Sequence, residues 1–209
     1  RDGPNALLLN DGAGIFADVS LTHLPGIWAN SISAAAGDVD GDGDVDILIA
    51  NYTRWVGIPE LSCTPNQLLL NDGAGRYHNV ATDWGVAGQG CTLVVAMSDI
   101  DGDHDLDLLI GNDFGQFVEP NQLWRNDGPT PAGWAFTEVG EETGFGIPMQ
   151  TMGIATADVD LDGDLDRYLT NIGRPHLLLA EDDGFVDAAD VFGLDAVYAD
   201  EDYQVMWGA

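Results

Sequence analysis

The acidic stretch Asp38-Val-Asp-Gly-Asp-Gly-Asp-Val-Asp46, followed by the apolar run Ile-Leu-Ile-Ala and by Asn51, occurs three times in this chain with small changes. The second copy is Asp99-Ile-Asp-Gly-Asp-His-Asp-Leu-Asp107, and the third is Asp158-Val-Asp-Leu-Asp-Gly-Asp-Leu-Asp166. A strand-like run and an Asn also follow these two copies, the Asn standing at positions 112 and 171. One pattern repeated three times in the same phase indicates three equivalent loops, each leading into a β-strand.

The alternating aspartates predict a bound cation in each loop. Four carboxylates brought to separations of ~5 Å repel one another by roughly 5 kcal/mol in total, even at the dielectric constant of water. Oxygen ligands with glycines at the sharp turns meet the requirements of Ca²⁺, which accepts many oxygens in a flexible geometry, whereas Mg²⁺ prefers to keep its water. We therefore expect three Ca²⁺ sites.

The spacing assigns a role to each loop position, by analogy with the start of the EF-hand loop. Positions one, three, five and nine are predicted to donate carboxylates: Asp38, Asp40, Asp42 and Asp46; Asp99, Asp101, Asp103 and Asp107; Asp158, Asp160, Asp162 and Asp166. Position seven is predicted to donate its backbone carbonyl and to leave its side chain in solvent: Asp44, Asp105 and Asp164. Position six needs a left-handed backbone, which Gly43 and Gly163 supply without penalty and which His104 tolerates.

An EF-hand and a solvated acidic loop are the two alternatives to this type of Ca²⁺ loop. An EF-hand would have a Glu at position twelve and a helix after the loop, and neither is present in this sequence. A solvated acidic loop in a salt-adapted protein is the second alternative, in which the aspartates only hydrate the surface. The repetition argues against it, because random acidity does not place apolar residues on the same side of the motif three times.

The chain as a whole is strongly acidic. Its 209 residues carry a formal net charge of −30, with 36 Asp and Glu against six Arg and no Lys, and three Ca²⁺ ions would bring this charge to −24. Nucleic acid and anionic membranes are therefore excluded as partners. No apolar stretch approaches the ~20 residues of a membrane helix, so we expect no membrane insertion. The charge favours a secreted, extracellular or cell-surface location, with the periplasm and a saline environment as further options.

Cys63 and Cys91 are the two cysteines of the chain. If oxidised, they would close a loop worth roughly 3.5 kcal/mol in the chain-entropy model. Two buried free thiols are the alternative, and the sequence leaves this choice open.

A second motif alternates with the acidic runs. Asn5-Ala-Leu-Leu-Leu-Asn-Asp-Gly-Ala-Gly-Ile-Phe16 recurs as Asn66-Gln-Leu-Leu-Leu-Asn-Asp-Gly-Ala-Gly-Arg-Tyr77, and in weaker form from Asn121 and from His176. Asn-Asp-Gly between two apolar runs is a hairpin signal. Each repeat then holds two hairpin arms, one strand after the acidic loop and one strand before it, the last predicted at Ser33–Gly37, Leu93–Ser98 and Gly153–Ala157.

Four antiparallel strands in each repeat predict an all-β fold, a β-propeller built of four-stranded antiparallel blades. We expect one partial propeller domain over residues 1–209, with repeat units at about 5–65, 66–120, 121–175 and 176–209, the last incomplete. A parallel β-solenoid is the alternative, but the hairpin in every unit counts against it. Residues 205–209 align with the strand that precedes each acidic loop, so we expect a longer natural protein with further blades or domains.

The acidic motif and the hairpin motif together resemble the FG-GAP/VCBS repeat, the blade unit of integrin α-chain propellers and of many secreted bacterial proteins. The repeats that accompany ASPIC/UnbV domains are the most similar variety. This resemblance covers nearly the whole chain and implies that each acidic loop joins the first two strands of a blade and binds Ca²⁺ through the aspartates named above. His104 and Leu161, which replace loop glycines, depart from the family pattern, as does the degenerate fourth hairpin.

The connections opposite the acidic loops form a candidate ligand face. In a four-stranded meander the acidic loops and the Asn-Asp-Gly turns share one face, which leaves the longer connections on the other. Aromatic residues and an Arg on such loops could stack on sugar rings or anchor a protein partner. The candidates are Trp28, Arg54, Trp55, Trp84, Phe114, Phe117 and Phe145. The alternative is that these aromatic residues only cap the ends of the blades.

Two classes of function follow. The first is a non-enzymatic, Ca²⁺-stabilised module for adhesion or for glycan or protein recognition outside the cell. The second is a propeller, catalytic or not, of a secreted polysaccharide lyase or hydrolase. The sequence has no nucleophile elbow, no His-Glu-x-x-His motif and no phosphate loop, and nearly all of its clustered carboxylates are assigned to metal. We therefore expect no enzyme and assign no catalytic residue.

Overall fold

The computed structural model of this chain describes residues 3–26, 28–54, 62–131, 133–181 and 184–194. The predicted terminal strand at residues 205–209 lies outside these ranges. Nearly all of the regular secondary structure in the described chain is β-strand, as the repeats predict. Its two helices contain four residues each, and no described helix has the length and apolar character needed to cross a membrane.

The elements before the first complete sheet are short. They are β1 (Gly3–Pro4), β2 (Leu8–Asn10), β3 (Phe16–Asp18), helix α1 (Ser20–His23) and β4 (Trp28–Ala29). Strand β1 pairs with β4, and β2 pairs with β3 as a hairpin.

Three antiparallel sheets of four strands follow, which we call the first, second and third blades. The first blade contains β5 (Ser31–Gly37) and β6 (Asp46–Asn51) and, after the small pair β7 (Thr53–Arg54) and β8 (Ser62–Cys63), β9 (Gln67–Asn71) and β10 (Tyr77–Asn79). The second blade contains β11 (Cys91–Ser98), β12 (Asp107–Asp113), β13 (Gln122–Thr130) and β14 (Gly133–Glu138), and helix α2 (Gly140–Thr143) follows it. The third blade contains β15 (Gly153–Ala157), β16 (Asp166–Thr170), β17 (His176–Glu181) and β18 (Gly184–Asp187).

Each blade combines the two strands around an acidic loop with the hairpin that comes after them. The second strand pairs with the third in every blade, β6 with β9, β12 with β13 and β16 with β17. The blades are therefore offset from the sequence units, which begin at a hairpin. The first hairpin forms a separate two-stranded sheet, and Leu8 and Leu9 are 54% and 44% exposed, whereas the equivalent Leu69 and Leu70 are 1% and 6% exposed.

The blades pack face to face on apolar side chains. Strand β12 is buried along its whole length, because successive side chains of a strand point to opposite faces. Leu108 contributes to the core between the first and second blades. Leu109 contributes to the core between the second and third blades. Each fully buried leucine stabilises the fold by about 1.5–3 kcal/mol relative to an exposed one.

A disulfide and a tyrosine hydrogen bond help to connect the first and second blades at the end opposite the acidic loops. Cys63 of β8 forms a disulfide with Cys91 of β11, with 4.8 Å between the two Cα atoms. The Tyr52 hydroxyl donates a hydrogen bond of 2.5 Å to Oδ2 of Asp113. Burial, followed by this bond to Asp113, raises the pKa of Tyr52, so the hydroxyl remains a donor at neutral pH.

Replacing both Cys63 and Cys91 by Ala should lower the free energy of unfolding by about 3.5 kcal/mol, since the cross-link reduces the conformational entropy of the unfolded chain. Urea unfolding of the wild type and of the double variant measures this loss. A reducing agent should destabilise the wild type to a similar extent and leave the double variant unchanged. Equal unfolding midpoints for the oxidised wild type and the variant would contradict a stabilising role of the disulfide.

Candidate metal centres

Each acidic loop joins the first and second strands of its blade, and in each loop three carboxylates converge. One oxygen from every member of the triad lies within 4.8 Å of the other two members. The triads are Asp38, Asp40 and Asp42 in the first loop, Asp99, Asp101 and Asp107 in the second, and Asp158, Asp160 and Asp166 in the third. This arrangement brings together oxygen ligands of the kind that a hard divalent cation prefers.

Positions one and three belong to every triad, while positions five and nine vary. Position five joins the triad at Asp42 but not at Asp103 or Asp162, and position nine joins it at Asp107 and Asp166 but not at Asp46. The side chains at position seven, Asp44, Asp105 and Asp164, are in none of the triads. The predicted ligand set of four carboxylates in each loop is thus wider than the group of three that converges in each.

Backbone N–H groups orient the carboxylates inside the loops. Oδ1 of the position-five aspartate accepts a hydrogen bond of 2.9 Å from the N–H of position seven in all three loops. Asp38 accepts hydrogen bonds from Asp42 and Gly43, and Asp99 accepts them from Gly102 and His104. In the third loop the buried Oδ1 of Asp158 has no hydrogen-bond partner. A bound cation would satisfy this oxygen, so the residues of the third loop fit a metal ion.

The aspartate at position nine has a second role that the sequence did not reveal. Its Oδ2 accepts the N–H of loop position two, at 3.0 Å in the first loop, 2.8 Å in the second and 2.6 Å in the third. Its Oδ1 accepts an N–H from the third strand of the same blade, at 2.8, 2.7 and 2.9 Å respectively. The three aspartates, Asp46, Asp107 and Asp166, therefore fasten each loop to its hairpin.

Burial disfavours the charged form of two of these carboxylates, Asp107 and Asp46. It raises the pKa of Asp107 to about 6, against the lowering effect of the hydrogen bonds from Asn126 and Ile100, and it also raises the pKa of Asp46. At position three, burial together with the neighbouring aspartates raises the pKa of Asp40 and Asp101. A divalent cation among these groups would reverse the effect, because a nearby positive charge favours the ionised carboxylate.

Two positions of each loop have a left-handed backbone. Position six has φ of 94° at Gly43, 78° at His104 and 106° at Gly163, so the prediction that His104 adopts this conformation is confirmed. Position four, which the sequence analysis did not assign, has φ of 68° at Gly41, 79° at Gly102 and 67° at Leu161. A non-glycine residue in this conformation costs roughly 1–2 kcal/mol.

Leu161→Gly should therefore stabilise the protein, by about 0.5–1 kcal/mol after allowing for the larger entropy of glycine in the unfolded chain. Leu161 is 84% exposed and loses little apolar burial in the exchange. Chemical denaturation with Ca²⁺ chelated measures the gain. Leu165→Gly in the same loop is the matched control and should destabilise the protein, because Leu165 has no positive φ. A loss of stability in both variants would contradict the assigned strain.

The end of the blades opposite the acidic loops holds a buried network of amides and hydroxyls. Asn51, at the end of β6, donates its backbone N–H to Oδ1 of Asn66 at 2.9 Å. Asn66 donates to the Thr92 hydroxyl at 2.9 Å, and Thr92 donates to Oδ1 of Asn112 at 2.8 Å. The same links continue from Asn112 to Asn121 and from Thr151 to Asn121. The repeated asparagines of both motifs signalled these positions, but no role was predicted for them.

Thr92→Val should destabilise the protein by about 1–3 kcal/mol, because it leaves a buried donor on Asn66 and a buried acceptor on Asn112 without a partner. The volume of the side chain is nearly unchanged, so a cavity does not contribute. Thr156→Val, at an exposed position of β15, is the matched control and should change stability by less than about 0.5 kcal/mol. Thermal unfolding of both variants tests the network, and equal melting temperatures would contradict its contribution.

The structure does not assemble the predicted ligand face as one aromatic surface. Trp28 and Phe117 are 70% and 78% exposed. Phe114 is half-buried and lies 6.3 Å from the ring of Tyr52. The Arg54 side chain and Trp55 lie outside the described part of the chain.

Two members of that predicted face pack inside the protein. Phe145 is fully buried, 6.2 Å from the ring of Phe185, so its inclusion in the ligand face was wrong. The connection that carries Phe145 folds inward, and a Cβ at its Gly144 would lie 2.8 Å from the carbonyl oxygen of Phe185. Trp84 is half-buried and stacks on Trp134 and Phe136 of the second blade, at 5.8 and 6.0 Å. Trp84 therefore joins two blades.

The fold and the three loops define a repeat protein with propeller-type blades, each having a cluster of carboxylates at the turn between its first two strands. The model of the FG-GAP-like repeat family matches residues 1–49 and 99–169 of the chain. The chain belongs to this family.

A comparison with curated proteins shows one further similarity. Cartilage acidic protein 1 of Xenopus tropicalis is 28% identical to the chain over 175 residues. The match covers 82% of this chain and 25% of that protein, so the chain spans about a quarter of the length of its relative.

Proposed function

We propose that the chain is a Ca²⁺-binding β-propeller module that works outside the cell in adhesion or in the recognition of a glycan or a protein. The ions reinforce the blades and take no part in catalysis. The observation that carries the proposal is the convergence of three carboxylate oxygens within 4.8 Å in each of the three loops. Convergent carboxylates on short loops are costly without a cation, and each loop here has the same construction.

The donor set supports Ca²⁺ over other metals. All of the converging side chains are carboxylates, and hard oxygen donors favour Ca²⁺ or Mg²⁺ over zinc or copper. The loops are short and irregular, and the third member of the triad is at position five in the first loop and at position nine in the other two. This variation suits Ca²⁺, which tolerates irregular coordination, better than Mg²⁺, which requires a near-ideal octahedron.

Three observations support a location outside the cell. The disulfide between Cys63 and Cys91 is of a kind that persists in oxidising compartments. The chain belongs to the FG-GAP-like repeat family, and its curated relative is named for cartilage. Millimolar Ca²⁺, which weak extracellular sites require, is present in the same surroundings.

Exposed aromatic residues support a recognition role for the end opposite the loops. Among the candidate residues of this end whose side chains the structure describes, Trp28 and Phe117 are largely exposed. Large aromatic side chains of this kind supply contact area to glycan or protein partners. The triad carboxylates of the acidic loops, in contrast, converge on one another, which supports a role in holding a cation.

Asp101→Asn should reduce the stabilisation that Ca²⁺ gives. At millimolar Ca²⁺ and the weak affinities of extracellular modules, each site contributes roughly 0.4–1.4 kcal/mol, so the loss of one equivalent site should remove about a third of the Ca²⁺-dependent rise in melting temperature. In chelator the variant should be as stable as the wild type or more stable, because one repulsive charge is gone. Thermal unfolding with Ca²⁺ and with chelator measures both effects.

Asp105→Asn is the matched control for this experiment. It removes the same charge from the same loop, but its side chain is outside the triad, so it should keep the full response to Ca²⁺. Calorimetric titration of the wild type should give three Ca²⁺ ions per chain. An unchanged melting temperature of the wild type on addition of Ca²⁺ would contradict the proposal, as would equal losses in the two variants.

A further inference from the structure

A cavity of about 540 Å³ lies between the second and third blades, beside two of the acidic loops. Its walls come from the second and third acidic loops, from helix α2 and from the hairpin of β17 and β18. Its volume is in the range of pockets that hold small ligands, about 300–1,000 Å³. The cavity is separate from Trp28 and Phe117, which lie toward the opposite end of the blades.

Arg167 lines this cavity and is an exception in the repeat. It is the residue after the position-nine aspartate, where the other two blades have Ile47 and Leu108. Only 1% of its surface is exposed, so the guanidinium lies at the floor of the cavity rather than at its mouth. An arginine cannot lose its charge at physiological pH, and a buried charge in an aliphatic position calls for a partner.

The described residues satisfy the Arg167 guanidinium only in part. Nη1 donates to the carbonyl oxygens of Leu165 and Asp166, at 2.8 and 3.2 Å. Nη2 donates to the Ser98 hydroxyl at 2.9 Å. The buried Nε has no hydrogen-bond partner, and no carboxylate of the described chain forms an ion pair with Arg167. Its other favourable interactions are with the ring of Phe185, 5.9 Å from Cζ, and with the charges of Asp166 and Asp107.

The walls above Arg167 offer hydrogen-bond acceptors. Glu142, Asp164 and Glu181 are exposed and line the cavity. In the part of the chain that the structure describes, none of these three carboxylates accepts a hydrogen bond or forms an ion pair. Arg125, which also lines the cavity, is already paired with Asp127 at 2.8 Å. The cavity thus has a buried, unpaired donor in its floor and unpaired acceptors on its walls.

We propose that this cavity binds the hydroxyl groups of a neutral saccharide, which accept a hydrogen bond from Nε of Arg167 and donate hydrogen bonds to Glu142, Asp164 and Glu181. A hydroxyl group is both a donor and an acceptor and carries no charge. An acidic ligand would satisfy Arg167 but is repelled by the wall carboxylates and by a chain of net charge −30. A cationic ligand would satisfy the walls and is attracted by the net charge of the chain, but it leaves the buried Nε of Arg167 without an acceptor.

In the proposed complex the side chains that cover Nε rotate to admit a ligand oxygen, so the guanidinium itself is the best reporter of binding. This inference rests on the proposed recognition function for its class of ligand. Asp99 and Asp101 of the second acidic loop also line the cavity, so binding is measured with Ca²⁺ present. The rise in melting temperature with Ca²⁺ tests the proposed module separately, so failure of one leaves the other standing.

The experiment uses ¹⁵N-labelled protein in millimolar Ca²⁺, titrated with neutral cello-, xylo- and manno-oligosaccharides. At least one of them should shift the arginine Nε–H resonance that disappears in Arg167→Leu. The same oligosaccharide should bind Arg167→Leu about tenfold more weakly than it binds the wild type, as expected for the loss of a hydrogen bond to a charged donor. Leucine is the residue of the second blade at this position, Leu108, so the variant is compatible with the fold.

Two further variants guard against a purely structural effect. Arg76→Leu removes the same charge from an exposed position of the first blade and should bind like the wild type. Glu181→Gln changes an exposed side chain and should weaken binding about threefold with no change in melting temperature. Oligogalacturonate serves as an acidic probe and should bind more weakly than the neutral oligosaccharide.

Three results would overturn the proposal. The first is that no neutral oligosaccharide shifts the Arg167 resonance, which would leave Arg167 with a structural role only. The second is that Arg167→Leu binds as tightly as the wild type. The third is that oligogalacturonate binds more tightly than every neutral oligosaccharide, in which case the cavity selects an acidic ligand.

Discussion

A buried aspartate carboxylate at loop position nine connects the acidic loop of each blade to its hairpin. Asp46, Asp107 and Asp166 are at most 1% exposed, and each accepts one N–H from its loop and one from the third strand. The carboxylate must be ionised to accept both bonds well, yet burial raises the pKa of Asp107 to about 6. A cation beside it would stabilise the ionised form. In the second and third blades, where Asp107 and Asp166 belong to the triads, the geometry of the blade and the proposed metal site therefore depend on the same group.

The two ends of the blades satisfy their buried polar groups in different ways. At the loop end, carboxylates crowd together, and burial with mutual repulsion raises the pKa of Asp40 and Asp101. At the opposite end, Asn66, Thr92 and Asn112 form a neutral network in which donors meet acceptors. Such a network needs no ion, because its charges are partial and paired within the protein. The disulfide and the Tyr52–Asp113 bond lie at this second end, so the covalent link reinforces the part of the blades that lies away from the acidic loops.

The sequence predicted the strands well wherever the alternation of side chains was unbroken. Strand β15 begins at Gly153, as predicted, whereas β5 and β11 begin two residues before the predicted Ser33 and Leu93. Both of the latter strands have an irregular register at that point, between Ser31 and Ser33 and between Thr92 and Val94. A bulge changes the phase of the pattern from which a strand is read, so the first residues were assigned to the preceding connection.

The site was predictable to the extent that it follows from spacing along one chain segment. The loop positions and the left-handed His104 are local properties, and the sequence contains them. The hydrogen bond that Asn126 N–H donates to Asp107 joins residues 19 apart, and the packing of Phe145 on Phe185 joins two blades. Local patterns do not contain such contacts. The connection that contains Gly144 is an example. Its sequence predicts an exposed loop, but in the structure its neighbour Phe145 is buried between the packed blades.

The third blade departs from the pattern of the other two at three positions, and all three lie in the segment from Asp158 to Arg167. Leu161 has a strained backbone where the other loops have glycine, Oδ1 of Asp158 is buried without a partner, and Arg167 replaces an aliphatic residue. A repeat that kept only the residues needed for stability would have Gly at the first of these positions and Leu or Ile at the last, as the other two blades do. Conflicts between a local rule and the global fold concentrate at functional sites, since stability alone does not retain them. The boundary between the second and third blades is therefore where this chain differs from a purely structural repeat.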